Sequence, residues 1–164
     1  MATVKVNTLD DPAERRLIVE RLVRGSTERV FDALTVPAEL HGWWRPANFS
    51  EPKYRIDLRT GGEIDFSMKG PDGATHVMTG EVKRVARPAL LTMVTSALTP
   101  EGEVALVTET TFELWPAGQA TRVIVDHRVL TVNETGLGYL AGMPGAWAEK
   151  LDRLADYVEG RPVV

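Results

Sequence analysis

The stretch GYLAGMPGAWAEKLDRLADYVEG, residues 138–160, decides the fold. Leu140, Met143, Trp147, Leu151, Leu154 and Val158 recur at intervals of three, four, four, three and four, which puts six large apolar side chains on one helical face. Glu149, Lys150, Asp152, Arg153 and Asp156 fall on the other side of this pattern and are expected to stay in water. Pro144, flanked by Gly142 and Gly145, predicts a break or kink at the start. Gly160 supplies a C-cap before Arg161 and Pro162. A helix with so broad an apolar face needs a wide surface to lie on, and residues 16–131 read as a sheet.

Outward from the helix, the preceding chain reads as hairpins. With Thr60-Gly61-Gly62 as a three-residue turn, Leu58 faces Ile64, Ile56 faces Phe66 and Tyr54 faces Met68. The turn Gly70-Pro71-Asp72-Gly73-Ala74 sets Met68 opposite His76, Phe66 opposite Met78 and Ile64 opposite Gly80. Arg87-Pro88 marks the next turn, between a strand ending near Val85 and another over 90–96. With Pro116 to Gln119 as the last turn, Phe112 pairs with Val123, Thr110 with Val125, Thr108 with His127 and Leu106 with Val129. On the opposite face, Glu113 then meets Arg122 and Glu109 meets Asp126. One face is apolar with small polar groups and the other is largely charged, as expected of a sheet covered on one side.

Towards the N-terminus, residues 17–23 form a β-rich run. Ser26 caps a short helix over 27–34, and Pro37 opens another through His41. Residues 1–15 read as a loose lead-in with a short edge strand over 3–7, and residues 16–164 as a single domain. The fold class is α+β: a strand, two short helices, a curved antiparallel sheet of about six further strands, and a long C-terminal helix across the concave face.

The 164 residues include no cysteine, carry a net charge of −4 and are 43% hydrophobic. A chain of this length can bury roughly 70% of its unfolded surface without staples. Disulfides and thiolate-ligated metals are excluded. The scattered cations form no footprint for nucleic acid or an anionic membrane. No signal-like or membrane-spanning run is present, so a cytoplasmic location is expected.

The runs Arg29-Val30-Phe31-Asp32-Ala33-Leu34, Pro37-Ala38-Glu39-Leu40 and Trp43-Trp44 resemble the opening of the START-like (SRPBCC, helix-grip) superfamily. The resemblance is to its AHSA-type branch, named for homology to the activator of the ninety-kilodalton heat-shock chaperone ATPase. It continues at Asp57-Leu58-Arg59-Thr60-Gly61-Gly62, at Met68-Lys69-Gly70-Pro71-Asp72-Gly73 and at Gly80-Glu81-Val82. It closes at Gly145-Ala146-Trp147 and Leu151-Asp152-Arg153-Leu154. Such a resemblance implies a cavity between the long helix and the concave sheet, used in various members for lipids, hormones or polyketides. It also implies a heat-shock chaperone as an alternative partner, in a stress-response role, and a homodimer as a further expectation.

The residues themselves place a lining in the same region. From the sheet come Phe66, Met78, Met93, Phe112 and Val125, and from the helix Leu140, Met143, Trp147 and Leu151. They serve equally as a solid core; the cavity is preferred because flexible methionines suit an adaptable wall. Trp44 ends the second short helix, at the cavity mouth. His127 faces inward with Thr108 and Thr110 near it. A core histidine satisfied by a threonine is the preferred reading, and a ligand partner or general base poised near neutrality is the alternative. The latter would make a small cyclase, lyase or hydrolase. His41 and His76 look peripheral, no spacing of His residues suits a metal, and no cofactor is expected. The leading expectation is a non-catalytic protein that holds a small, mainly apolar organic ligand.

Overall fold

The computed structural model describes residues 2–7 and 15–164. Its strands are β1 (Thr3–Asn7), β2 (Arg16–Arg24), β3 (Ser50–Ile56), β4 (Glu63–Lys69), β5 (Thr75–Ala86), β6 (Leu90–Leu98), β7 (Val104–Ala117) and β8 (Ala120–Val132). Helices α1 (Thr27–Thr35) and α2 (Pro37–Leu40) separate β2 from β3, and α3 (Glu134–Leu140) and α4 (Met143–Val158) follow β8. The strands form one sheet of eight in the order β1-β2-β8-β7-β6-β5-β4-β3, with antiparallel pairing throughout. The meander β3–β8 therefore returns beside β2, and α1 and α2 carry the chain between the two ends of the sheet. Residues 1 and 8–14 of the expected lead-in lie outside the described residues, whereas β1 is the edge strand anticipated at 3–7. Among the described residues no helix is long and apolar enough to cross a membrane.

Local chemistry sets the helix ends. Ser26 Oγ accepts from the Arg29 N–H at 3.1 Å, and Val30, Phe31 and Leu34 turn inward from α1. Pro37 opens α2, where its missing N–H leaves no helical bond unmade. At the far end of α4, Gly160 adopts φ 74°. Its N–H reaches Tyr157 O while the Arg161 N–H donates to Asp156 O, a paired closure that takes up the last carbonyls.

Two hairpin registers differ from the sequence expectation. In the first, Ile56 pairs with Ile64 and Tyr54 with Phe66, so Leu58 and Met68 do not take the places the three-residue turn assigns them. Residues 57–62 curl into a compact loop closed by Asp57 N–H to Glu63 O, Arg59 N–H to Asp57 O and Gly62 N–H to Arg59 O. A Cβ on Gly62 would stand 1.9 Å from Asp57 O, so glycine is what admits the fold-back. In the second, Phe112 pairs with Val125, Thr110 with His127, Thr108 with Val129 and Leu106 with Val132. The turn is the two-residue Gly118-Gln119, with Gly118 at φ 64°, because a short left-handed turn matches the natural twist of paired strands. On the charged face Glu113 therefore meets Ile124 and Glu109 meets Arg128. Both shifts are by two residues, which keeps the faces of the paired side chains, except at Leu106, where an irregularity between Val107 and Thr108 makes the displacement three. The hairpin after Gly70 has the anticipated pairs, with Met68 opposite His76 and Phe66 opposite Met78.

The long helix is also redrawn. Asn133 Oδ1 accepts from the Gly136 N–H at 2.8 Å and starts α3, so Leu140 belongs to a separate helix, and the break falls at 141–142 ahead of Pro144. Helix α4 lies on the concave face and packs closely against β2 and β1. Leu151, Leu154 and Ala155 are fully buried there. Asp152 Oδ1 accepts from Arg21 Nε at 2.9 Å and from the Ala2 N–H at 3.1 Å, tying the helix to this end of the sheet. Replacing Leu151, which is fully buried, by alanine should cost about 2–5 kcal/mol in urea denaturation.

Candidate functional site

Helix α2 stops at Leu40, so the pair Trp43-Trp44 lies in the irregular turn after it rather than at the helix end expected from the sequence, and the two rings do different things. Trp43 is 1% exposed and its indole N–H donates to Ala33 O at 2.8 Å, anchoring the segment after α2. Trp44 turns beneath α4, edge-on to Phe66 at 5.4 Å and to Trp147 at 6.3 Å between ring centroids. Arg153 holds this arrangement. Its Nε donates to Trp43 O at 3.0 Å and its second guanidinium nitrogen to Trp44 O at 3.2 Å. The sequence pattern assigns Arg153 to solvent; it is instead 8% exposed, because it satisfies two carbonyls that the irregular chain after α2 leaves without helical partners.

Two spaces adjoin Trp44. The outer one, of about 430 Å³, lies between α4 and the far half of the sheet. Its walls include Phe66 and Met68 of β4, Met78 of β5 and Ala97 of β6, and its rim carries His76, Tyr139 and Glu149. The inner one, of about 140 Å³, lies deeper under the helix, with Met93 and Thr95 of β6, Thr108 and Thr110 of β7, His127 of β8, and Trp147. Trp44, Met78, Ala97 and Lys150 line both. A larger groove of about 510 Å³ on the opposite face has chiefly charged and small polar walls, including Arg55, Glu63, Asp65, Glu81 and Lys83, and offers little to an apolar molecule.

His127 is 6% exposed. Its Nδ1 shares a 2.7 Å hydrogen bond with Thr110 Oγ1, and its ring lies 5.1 Å from that of Trp147. Loss of hydration, reinforced by the positive charge of Lys150, pushes its pKa down to about 3, against a smaller opposite pull from Asp126. The ring is neutral at physiological pH rather than poised near neutrality. Thr95 and Thr108 hydroxyls pair with each other at 3.3 Å, so the inner polar groups largely satisfy one another.

Lys150 is the site residue that the sequence pattern misses. Its Nζ sits 3.8 Å from the ring centre of Trp44 and 4.6 Å from that of Trp147. By accessible area the residue is half-buried, since it also lines the outer space, yet its amine rests against two indoles. Loss of hydration, with Arg153 as a second cation nearby, lowers its pKa to about 7. The signal was angular: at roughly 100° per residue, Lys150 lies about 60° round the helix from Trp147 and therefore inside the broad apolar arc.

Of the residues expected to line a cavity, the structure brings together Trp44, Phe66, Met78, Met93, Thr108, Thr110, His127 and Trp147. Phe112, Val125, Leu140, Met143 and Leu151 line neither space; they are buried in the packed interior, with the Phe112 ring 5.9 Å from Trp147. Among the described residues no group of three or more His, Asp or Glu side chains is gathered for a metal.

An antiparallel sheet gripping a C-terminal helix over an interior space defines an α+β helix-grip protein of the START-like type. Residues 24–159 match the family described as Activator of Hsp90 ATPase homolog 1-like protein, and the chain belongs to that family. Among solved structures, a Nitrosomonas europaea protein is 26% identical, with a TM-score of 0.75 over 92% of this chain and 97% of its own. A Rhodobacter sphaeroides protein is 21% identical, with a TM-score of 0.78 over 96% and 99%. One from Arthrobacter aurescens is 18% identical, with a TM-score of 0.79 over 98% and 94%. These likenesses establish the fold. No curated protein matches the chain.

Both titrating groups leave a signature in stability. Between pH 6.5 and about 3 the unfolded chain binds a proton that folded His127 refuses. Its contribution is therefore intact above pH 6.5 and drains away as pH falls towards 3, with a slope of at most about 1.4 kcal/mol per pH unit. His127→Gln should flatten this acid limb in denaturation curves measured across that range. For Lys150 the unfolded chain holds the extra proton between about pH 7 and 10.5, so stability should climb with pH there. Lys150→Met should raise the unfolding midpoint at pH 7 and abolish that alkaline climb.

Proposed function

We propose that this protein binds a small, mainly apolar organic molecule in the space between α4 and strands β4–β6. One observation carries the reading: the outer space of about 430 Å³ adjoins the inner one through shared walls of Trp44, Met78 and Ala97. The outer volume alone falls within the roughly 300–1,000 Å³ of small-molecule sites. The walls combine aromatic rings with Met68, Met78 and Met93, side chains whose flexible thioethers adapt to varied shapes.

Two other readings have weaker support. Catalysis by His127 asks a base with a pKa of about 3 to accept protons near neutrality, far from the matched value that general-base chemistry favours. Binding to a heat-shock chaperone rests on the family description alone. ATPase assays with the cognate chaperone would report a rate change under that reading.

The ligand reading is tested by native mass spectrometry of the purified protein and by calorimetry with a panel of fatty and aromatic molecules. Bound organic mass, or micromolar binding of at least one panel member, is expected. Ala97→Trp, which fills the junction of the two spaces, should weaken binding about tenfold or more while leaving the far-ultraviolet circular dichroism unchanged. No binding by any panel member, with no co-purified mass, would overturn the reading.

A further inference from the structure

Lys150 stands where the two spaces meet, its ammonium against the faces of Trp44 and Trp147. A buried ammonium is normally held by a carboxylate. The strongest charge acting on this one is another cation, Arg153, whose guanidinium is already committed to Trp43 O and Trp44 O. Among the described residues the interior walls offer no anion: β6 contributes Met93, Thr95 and Ala97, β7 contributes Leu106, Thr108 and Thr110, and β8 contributes neutral His127. The remaining titratable groups facing this region are His76 of β5, Tyr139 of α3, and Glu149 on α4 itself, all at the outer rim. Glu149 is solvent-exposed.

Resting on the ligand reading above, we infer that the ligand is an apolar monocarboxylic acid, fatty or aromatic, whose carboxylate pairs with Lys150 between Trp44 and Trp147 while its body occupies the Met-lined space. A single uncommitted ammonium matches one negative charge. A dianionic phosphate would leave a charge uncompensated in an apolar enclosure and would meet Glu149 at the rim. The carboxylate supplies the counter-charge that the described walls of the site omit, and a desolvated ion pair of this kind is stronger than one in water. The same residue that weakens the empty protein thus selects the ligand.

The pair also couples binding to protonation. Free Lys150 loses its proton above about pH 7, and a bound carboxylate favours the charged amine. Acid binding should therefore take up a proton at pH 8 and weaken from pH 7 to 9. Binding of an alcohol should do neither.

The experiment compares dodecanoate with dodecanol by titration calorimetry, below the concentration at which dodecanoate forms micelles, at pH 7 and pH 8. Wild-type protein should bind dodecanoate about tenfold or more tighter than dodecanol at pH 7. Lys150→Met and Lys150→Gln should lose that preference while keeping dodecanol affinity, and Lys150→Arg should retain it. Two substitutions of different polarity guard against misfolding of either. Equal affinities in the wild type, or a preference that survives in both Lys150→Met and Lys150→Gln, would overturn the inference and leave the ligand reading standing. Binding of neither probe, together with failure of the wider panel, would overturn both.

Discussion

The constraint on which the rest of the structure depends is that α4 is fastened to one end of the sheet. Leu151, Leu154 and Ala155 are buried against β2, and Asp152 receives Arg21 and the Ala2 N–H. Each fully buried aliphatic side chain in this stripe is worth about 1.5–3 kcal/mol. The close packing of α4 at β1 and β2 is not repeated at β4–β6, as expected where a helix crosses a twisted sheet. The gap left there is bridged by Trp44, Trp147 and Lys150 rather than by continuous aliphatic packing. The interior space follows from geometry that the packed end imposes.

Arg153 and Lys150 occupy the same side of the helix and meet opposite fates. Arg153 spends its planar donors on two backbone carbonyls, which is how a buried guanidinium is made tolerable. That clamp fixes Trp44 in the roof of the site. Lys150 has only aromatic faces, an interaction worth about 0.5–2 kcal/mol, against the larger loss of hydration that lowers its pKa. Local disagreement with folding rules tends to mark function, and here it coincides with the junction of the two spaces. His127 contrasts with it: bonded to Thr110 and with its ring tilted against that of Trp147, it behaves as a satisfied core residue.

Much of the fold could be read from the chain because the relevant signals are periodic. Alternation in β4, β7 and β8 assigns faces correctly even where the pairing is displaced, since a shift of two residues preserves parity. The displacements arise in turns, at Gly62 and at Gly118-Gln119, where glycine admits a tighter path than the flanking residues suggest. The helix was legible from its six-residue stripe, but its boundary was not: Asn133 caps an additional turn of chain, and Leu140 passes to that separate helix. Eight of the thirteen anticipated lining residues face one space or the other. The remaining five are as apolar as the rest, and nothing local distinguishes a wall from a filler.

The amino-acid sequence by itself determined the class of fold, the face on which each strand residue lies, and the inward placement of Trp147 and His127, because periodicity and turn chemistry act over a few residues. Only the tertiary structure decided where packing stops and space begins, that Thr110 rather than Thr108 satisfies His127, and that Lys150 and Arg153 point inward. Those outcomes depend on how a helix and a twisted sheet diverge, and on carbonyls and rings contributed by segments about a hundred residues away, so no local pattern could encode them.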